Sequence, residues 1–491
     1  MTANATTSGA EPLQVPAEID LGPRNRLVIA ILLISTFVVI LNETIMSVAL
    51  PRLMADLDVS AAAAQWLTAA FLLTMAVVIP VTGFLIQRIN TRPIFILAMS
   101  TFSLGTFGAA LSPGLELLIV ARVVQAVGTA IMLPLLMTTV MTLVPAASRG
   151  KVMGNISIVI SVAPAIGPTI SGIILNYLSW RWMFILVLPI SLATLIIGAR
   201  MIQNVTTPRY APLDVLSVIL SAIGFGGVVY GLSAIGEAHN EGGIPSWLPL
   251  AIGAITLVVF TLRQLSLQRH DKALLDLRTF NSNTFVICII MMAIMMIALF
   301  GTIILLPIYT QNVLGLDTLQ TGLLLLPGGL IMGLLAPSVG RLYDRFGPKP
   351  LLIPGAIIVS AVLWALTMVD ENTAVTSVLI GHMVISLGLA LVFTPLFTAS
   401  LSAVPPHLYS HGSAILATIQ QVAGAAGVAL FVALMTLQMG NLMADGIAEI
   451  PALAGGIRTG FLCGAIASLF AIITAFLIKR PVEGEGAQPL H

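Results

Sequence analysis

Gly83-Phe84-Leu85-Ile86-Gln87-Arg88-Ile89-Asn90-Thr91-Arg92-Pro93 and Gly340-Arg341-Leu342-Tyr343-Asp344-Arg345-Phe346-Gly347-Pro348-Lys349-Pro350 are two versions of one segment. Gly, Leu, Arg and Pro fall at matched places, and in each version a long apolar run precedes the segment and another follows it. Leu50-Pro51 and Leu306-Pro307 recur at nearly the same separation. The chain therefore carries an internal copy of itself, which fixes its architecture before any single residue is interpreted.

Outward from these segments, a window of roughly 19 residues finds apolar runs centred near Val38, Val77, Phe102, Leu133, Val162, Leu188, Ile223, Ile255, Met295, Leu330, Ile358, Leu387, Val428 and Leu469. Each is long enough to span a bilayer as a helix. The seventh and eighth, at 213–233 and 247–266, are the weakest, because runs such as Gly224-Phe225-Gly226-Gly227 form helix poorly. With 58% hydrophobic and 8% charged residues, the chain has too little polar surface to be soluble. The expected fold is an all-α polytopic membrane protein of 14 transmembrane helices, in which spans 1 to 6 repeat as spans 9 to 14. Both copies start on the same side, which makes the repeat parallel about an axis along the membrane normal. The expected divisions are a disordered polar tail at 1–23, a six-helix bundle at 24–203, an inserted helix pair at 204–270, a second six-helix bundle at 271–480 and a tail at 481–491.

Orientation follows from the basic residues, whose excess marks cytoplasmic loops. Arg24, Arg26, Arg88, Arg92, Arg149, Lys151, Arg200, Arg209, Arg263, Arg269, Lys272, Arg278, Arg341, Arg345, Lys349, Lys479 and Arg480 fall on one side of this map. Only Arg52, Arg181 and Arg458 fall on the other, together with acids such as Asp56, Glu116, Glu237, Glu241, Asp317 and Asp370. Both termini are expected in the cytoplasm. The net charge of +1 offers no field for nucleic acid. Cys288 and Cys463 lie in apolar spans and read as small core residues.

Glu43 is the residue out of place. It sits in the apolar run Leu27–Leu50, and an acid in hydrocarbon is costly enough to mark an ion or substrate pathway by default. Arg122 is the matching base, in the fourth span. Each lies some seven residues from the outer end of its span, hence ~10 Å below the outer surface at the helical rise. His382 in the twelfth span is another titratable candidate, either a proton carrier or a packing histidine. Asn42, Gln125, Gln311, Gln420 and Gln421 offer polar contacts, to a cavity or between helices. Met291, Met292, Met295 and Met296 suit either an adaptable binding wall or core filling. There is no nucleotide loop, metal motif or paired nucleophile and base, so an enzyme is not expected.

The segment Gly340 to Pro350 resembles the major facilitator superfamily signature between the second and third helices of a half. The first copy departs from it at Gln87, where the signature has an acid, and at Asn90-Thr91. More specific motifs resemble the drug:proton antiporter branch with 14 transmembrane helices. Leu41-Asn42-Glu43-Thr44-Ile45-Met46-Ser47-Val48-Ala49-Leu50-Pro51 is similar to its first-helix motif, with Asn42 at the usual acid and the acid one place later. Leu118 to Ala130, with Arg122, Gln125 and Gly128, is similar to its fourth-helix motif. Gly154, Ala163, Gly167, Pro168 and Gly172 are similar to its antiporter motif in the fifth helix. These small residues let backbones approach, and the prolines bend the span.

The resemblance implies a transporter whose first and fourth helices line a central cavity, with Glu43 and Arg122 as proton-coupling groups. It implies a cytoplasmic latch made of Gly83, Arg88, Gly340, Asp344, Arg345 and Gly347, in which Asp344 and the neighbouring arginines bridge helix ends. The expected function is proton-coupled antiport, exporting hydrophobic or amphiphilic small molecules by alternating access. An exporter of a lipid or cell-envelope precursor and a proton-coupled importer stay open as alternatives, as does sodium for the proton. Expected partners are the substrate, protons and the lipid bilayer, with no nucleic acid, no cofactor and no metal. A periplasmic adaptor stays open, and the chain is expected to work as a monomer in the cell membrane.

Overall fold

The computed structural model describes residues 22–59, 61–204, 208, 213–235, 245 and 247–480. The tail residues 1–21 and 481–491, with Arg209, Glu237 and Glu241, lie outside them. Fourteen α-helices and no strand are found among the described residues. They are α1 (Pro23–Leu57), α2 (Ala61–Arg88), α3 (Thr91–Ala110), α4 (Leu115–Leu143), α5 (Arg149–Tyr177), α6 (Trp182–Met201) and α7 (Val215–Ile235). There follow α8 (Trp247–Leu267), α9 (Asn283–Ile308), α10 (Thr318–Phe346), α11 (Lys349–Leu366), α12 (Val375–Ser402), α13 (Tyr409–Ala444) and α14 (Glu449–Leu477). All fourteen are long and apolar enough to cross a membrane, and each expected centre falls in its own helix. In lipid the helix satisfies every backbone group internally, so an apolar run has no other stable form.

Helix ends occur where the sequence offers caps. Asp317 and Gln320 form a reciprocal capping box at the start of α10. Gly347 ends the same helix at a φ of 80°, a left-handed turn that favours glycine. A π-helical turn, Tyr309–Val313, closes α9, and the Tyr309 hydroxyl donates to the Asp370 carbonyl at 2.6 Å. One expectation needs correction: α1 continues through Pro51 to Leu57 rather than stopping at Leu50. Proline is tolerated there because α1 packs against neighbouring helices. Glu43 is therefore further from the end of α1 than the apolar run suggested.

Most of α1 to α6 pack mainly on one another, as do most of α9 to α14, while α5 and α10 pack most heavily on each other across the two sets. α7 and α8 form a hairpin, and α7 lies against both α2 and α13. Trp66 of α2 stacks on Tyr230 of α7 with ring centroids 6.0 Å apart. At the base of the hairpin, Arg263 donates to Asp214 at 2.7 and 2.9 Å. These bonds hold the Asp214 carboxyl down at about 2, so the anchor stays ionised throughout the neutral range. Gln264 accepts from the backbone N–H groups of Leu274 and Leu275, fastening the hairpin to the segment that leads into α9.

The two sets of six meet through α5 on α10, α2 on α13, α4 on α13 and α5 on α12. The closest contacts lie toward the end that carries Pro23 and Leu477, hereafter the terminal end. Gly340 and Gly150 abut backbone to backbone, and a Cβ on Gly154 would lie 2.5 Å from the Ala336 carbonyl oxygen. Gly83 of α2 faces Ala414 and His411 of α13 at 3.1 and 3.2 Å from its ideal Cβ. Thr138 donates to Ser413 at 3.1 Å and Thr394 to Ser157 at 2.8 Å, both across the two sets. Small residues and hydroxyls of this kind are what seal helices in lipid, where apolar side chains gain little by leaving it. Further along the same pair, Gly329 and Gly333 of α10 still press on Ala165 and Val162 of α5, whereas a Cβ on Gly172 of α5 or on Gly322 of α10 would meet nothing within 4 Å.

Candidate functional site

Arg122 is buried, with 1% of its surface exposed, inside a helix that must cross hydrocarbon. Its surroundings decide how the charge is held. Nη1 donates to Oε1 of Gln125 at 2.6 Å and to Oδ1 of Asn42 at 3.2 Å. The guanidinium carbon stands 4.0 Å from the centroid of the Phe71 ring on α2, a cation over the negative face of an aromatic. Gln125 is itself held from behind, since its Nε2 donates to Oγ1 of Thr106 on α3 at 2.8 Å. Arg122 Nε and Asn42 Nδ2 are buried without a hydrogen-bond partner.

Glu43 lies one residue beyond Asn42 and so projects about 100° further round α1. It is half-buried. Among the described residues no ion pair joins it to Arg122, although each lies within the other's electrostatic reach. The direct partners of the base are neutral amides, and the acid stands nearby without touching it. The shared depth expected for the two charges rests on the bond from Arg122 to Asn42.

The fifth-helix residues are split between two neighbours. Ala163 and Gly167 pack on α1 beside the acid: the Thr44 hydroxyl donates to the Ala163 carbonyl at 3.4 Å, and a Cβ on Gly167 would collide with that hydroxyl. Gly154 instead packs on α10, and Gly172 faces open space. The Pro168 side chain lies outside the described residues.

The remaining candidates are not gathered here. His382 holds α12 to α10, with Nε2 3.1 Å from the Leu325 carbonyl and its ring against Gly328. Gln420 donates to Leu416 of its own helix, and Gln311 lies in the π-helical turn. Gln421 is half-buried in α13. Among the described residues no hydrogen bond links any of these to Arg122 or Asn42. Gln125 is fully buried behind Arg122 rather than lining a cavity. Met291, Met292, Met295 and Met296 are buried in the core. Phe71, Thr106 and Thr44 were not singled out in the sequence, where an aromatic or a threonine in an apolar helix carries no distinguishing signal.

The latch differs from its expected form. The Asp344 carboxylate accepts from the backbone N–H of Gly150 at 2.7 Å and of Lys151 at 2.8 Å, capping the first turn of α5 from the other set of helices. An anion at a helix N-terminus gains from both the free N–H groups and the dipole. Arg345 packs over Phe346, Arg341 donates to Ser338, and Arg88 lies over Phe84 of its own helix. In the first copy Gln87 donates to the His407 carbonyl at 2.8 Å, so that contact is neutral. Asp344→Asn removes the charge from two bonds worth about 1.5–3 kcal/mol each when charge-assisted. Amide hydrogen exchange at Gly150 and Lys151 is expected to rise about tenfold or more. Unchanged exchange would contradict the capping role.

Fourteen apolar helices, two sets of six and an inserted pair, with the sets packed closely at the terminal end and a charge buried within the first set, describe a membrane transporter. The chain belongs to the Major Facilitator Superfamily, whose family model matches residues 32–428. It is 38% identical over 472 residues to the uncharacterized MFS-type transporter YcnB of Bacillus subtilis (strain 168), covering 96% of this chain and 99% of that one. It is 39% identical over 458 residues to the lincomycin resistance protein LmrB of Listeria innocua, covering 92% and 96%. Among solved structures the human organic anion transporter MFSD10 aligns with a TM-score of 0.67 at 14% identity, over 92% of this chain and all of that one. That likeness concerns the fold. The protein is a multi-pass cell membrane transporter rather than an enzyme.

Proposed function

We propose that this transporter is a proton-coupled antiporter that exports hydrophobic or amphiphilic drugs from the cytoplasm by alternating access. The observation that carries the reading is Arg122, a buried cation held directly by neutral amides, within electrostatic reach of the half-buried acid Glu43. A buried charge with so little direct compensation responds strongly to a change of charge beside it. Protonation of Glu43 removes the negative field at Arg122, and deprotonation restores it. A proton crossing 100 mV gains about 2.3 kcal/mol, enough to bias a two-state carrier.

The basic loops assign the terminal end to the cytoplasm. With that orientation, the seal of α5 on α10 and α2 on α13 closes the cytoplasmic side. We divide the chain as a bundle at 24–203, an inserted pair at 204–270 and a bundle at 271–480, working as a monomer. Asp344 of α10, capping the first turn of α5, is the latch for the closed side. The names of lincomycin and multidrug resistance relatives support a drug as cargo. So does a buried site with few charges, which suits apolar compounds of varied shape.

Inside-out vesicles with an acidic lumen test both direction and coupling. Added lincomycin or rhodamine 6G is expected to enter the lumen and raise its pH in the same assay. Accumulation without proton release, or movement only in the opposite direction, would overturn the reading.

A further inference from the structure

We propose that Thr106, on a helix outside the expected cavity, is a positioning residue for Arg122 and acts through Gln125. The inference extends the functional reading above and rests on it for the role of Arg122.

It starts from hydrogen-bond polarity. The Thr106 hydroxyl donates its one hydrogen to the Phe102 carbonyl at 2.7 Å, so toward Gln125 it can only accept. The group that meets it must be the Gln125 amide nitrogen, which lies 2.8 Å away. The amide oxygen is thereby turned toward Arg122, where it accepts from Nη1 at 2.6 Å. Were the amide reversed, its NH2 would face a guanidinium that has only donors, leaving the NH2 without an acceptor and Arg122 with Asn42 as its one remaining acceptor. Neither cost is recovered inside a membrane, where no water can step in. The chain from the Phe102 carbonyl to the guanidinium therefore has one direction, and Thr106 sets it.

Packing brings the hydroxyl within reach. A Cβ on Gly105 would lie 2.5 Å from the Gln125 nitrogen and 2.6 Å from the Ala121 carbonyl oxygen, so α3 and α4 touch backbone to backbone beside the relay. Gly128 makes a similar approach to Phe102 about one turn along. Thr106 and Gln125 are both fully buried, which keeps water from substituting for either. Asn42 supports Arg122 from α1 by a longer bond of 3.2 Å, so the Gln125 arm is the tighter of the two.

Wild type, Thr106→Val, Thr106→Ala and Thr106→Ser are compared in proteoliposomes for rhodamine 6G transport and for protons moved per dye. Val keeps the shape and loses the hydroxyl, while Ser keeps the hydroxyl. Val and Ala are expected to lower the transport rate roughly tenfold and to lower the proton-to-dye ratio, with Ser within about twofold of wild type. In a Gln125→Leu background the Thr106→Val change is expected to add nothing. Wild-type behaviour in both hydroxyl-free variants, or a Thr106→Val loss that persists in full without Gln125, would overturn the relay. Dye transport by wild type without proton movement would overturn the coupling instead, and the Val and Ser rates would still decide the part played by Thr106.

Discussion

Arg122→Gln is expected to stop coupled transport while leaving a folded protein. The substitution removes two charge-assisted hydrogen bonds, to Gln125 and Asn42, and the cation above Phe71. At about 1.5–3 kcal/mol for each such bond, the loss exceeds a hundredfold in any state that depends on them. Arg122→Lys keeps the charge but loses the planar guanidinium that lies over the Phe71 ring, so it should retain only part of the rate. Dye efflux from cells and melting of the purified variant separate transport from folding. Near-normal efflux in Arg122→Gln would remove the residue from the mechanism.

Gly340→Val is expected to be as damaging for a different reason. A side chain at this position runs into the Gly150 backbone, which belongs to the opposing set of helices and cannot rotate aside. The terminal end then cannot close. The readout is labelling of Ser157→Cys by a membrane-impermeant maleimide, in a background lacking Cys288 and Cys463. Ser157 bonds to Thr394 within the seal, so it is shielded while the end is closed. Labelling from the terminal end should rise tenfold or more in Gly340→Val, with loss of transport, since overpacking by a few methyl groups costs about 1–3 kcal/mol. Slow labelling and intact transport would mean that this contact does not gate.

The fourteen helices were legible because hydropathy is a local sum, and the duplicated segments gave the register between halves. The repeat also marks Gly340 and Asp344, whereas their partner Gly150 at the start of α5 cannot be read from it. Neighbouring arginines suggested side-chain bridges, whereas the backbone N–H groups of Gly150 and Lys151 take the carboxylate. Backbone donors are invisible in a residue pattern. The pairing of Arg122 was hidden for a related reason. Glu43 and Asn42 are adjacent in sequence but about 100° apart on the helix, and which of them meets Arg122 depends on the rotation of α1 against α4. Thr106 could not be found at all, since its part depends on where one hydroxyl hydrogen goes.

The central claim, that Glu43 carries the exchanged proton beside Arg122, is tested most directly with Glu43→Gln in proteoliposomes. Two rates are needed from one preparation: substrate-driven proton movement, and exchange of labelled for unlabelled substrate with no gradient. Proton movement is expected to vanish in Glu43→Gln while exchange continues near the wild-type rate. Undiminished proton movement in that variant would contradict the account.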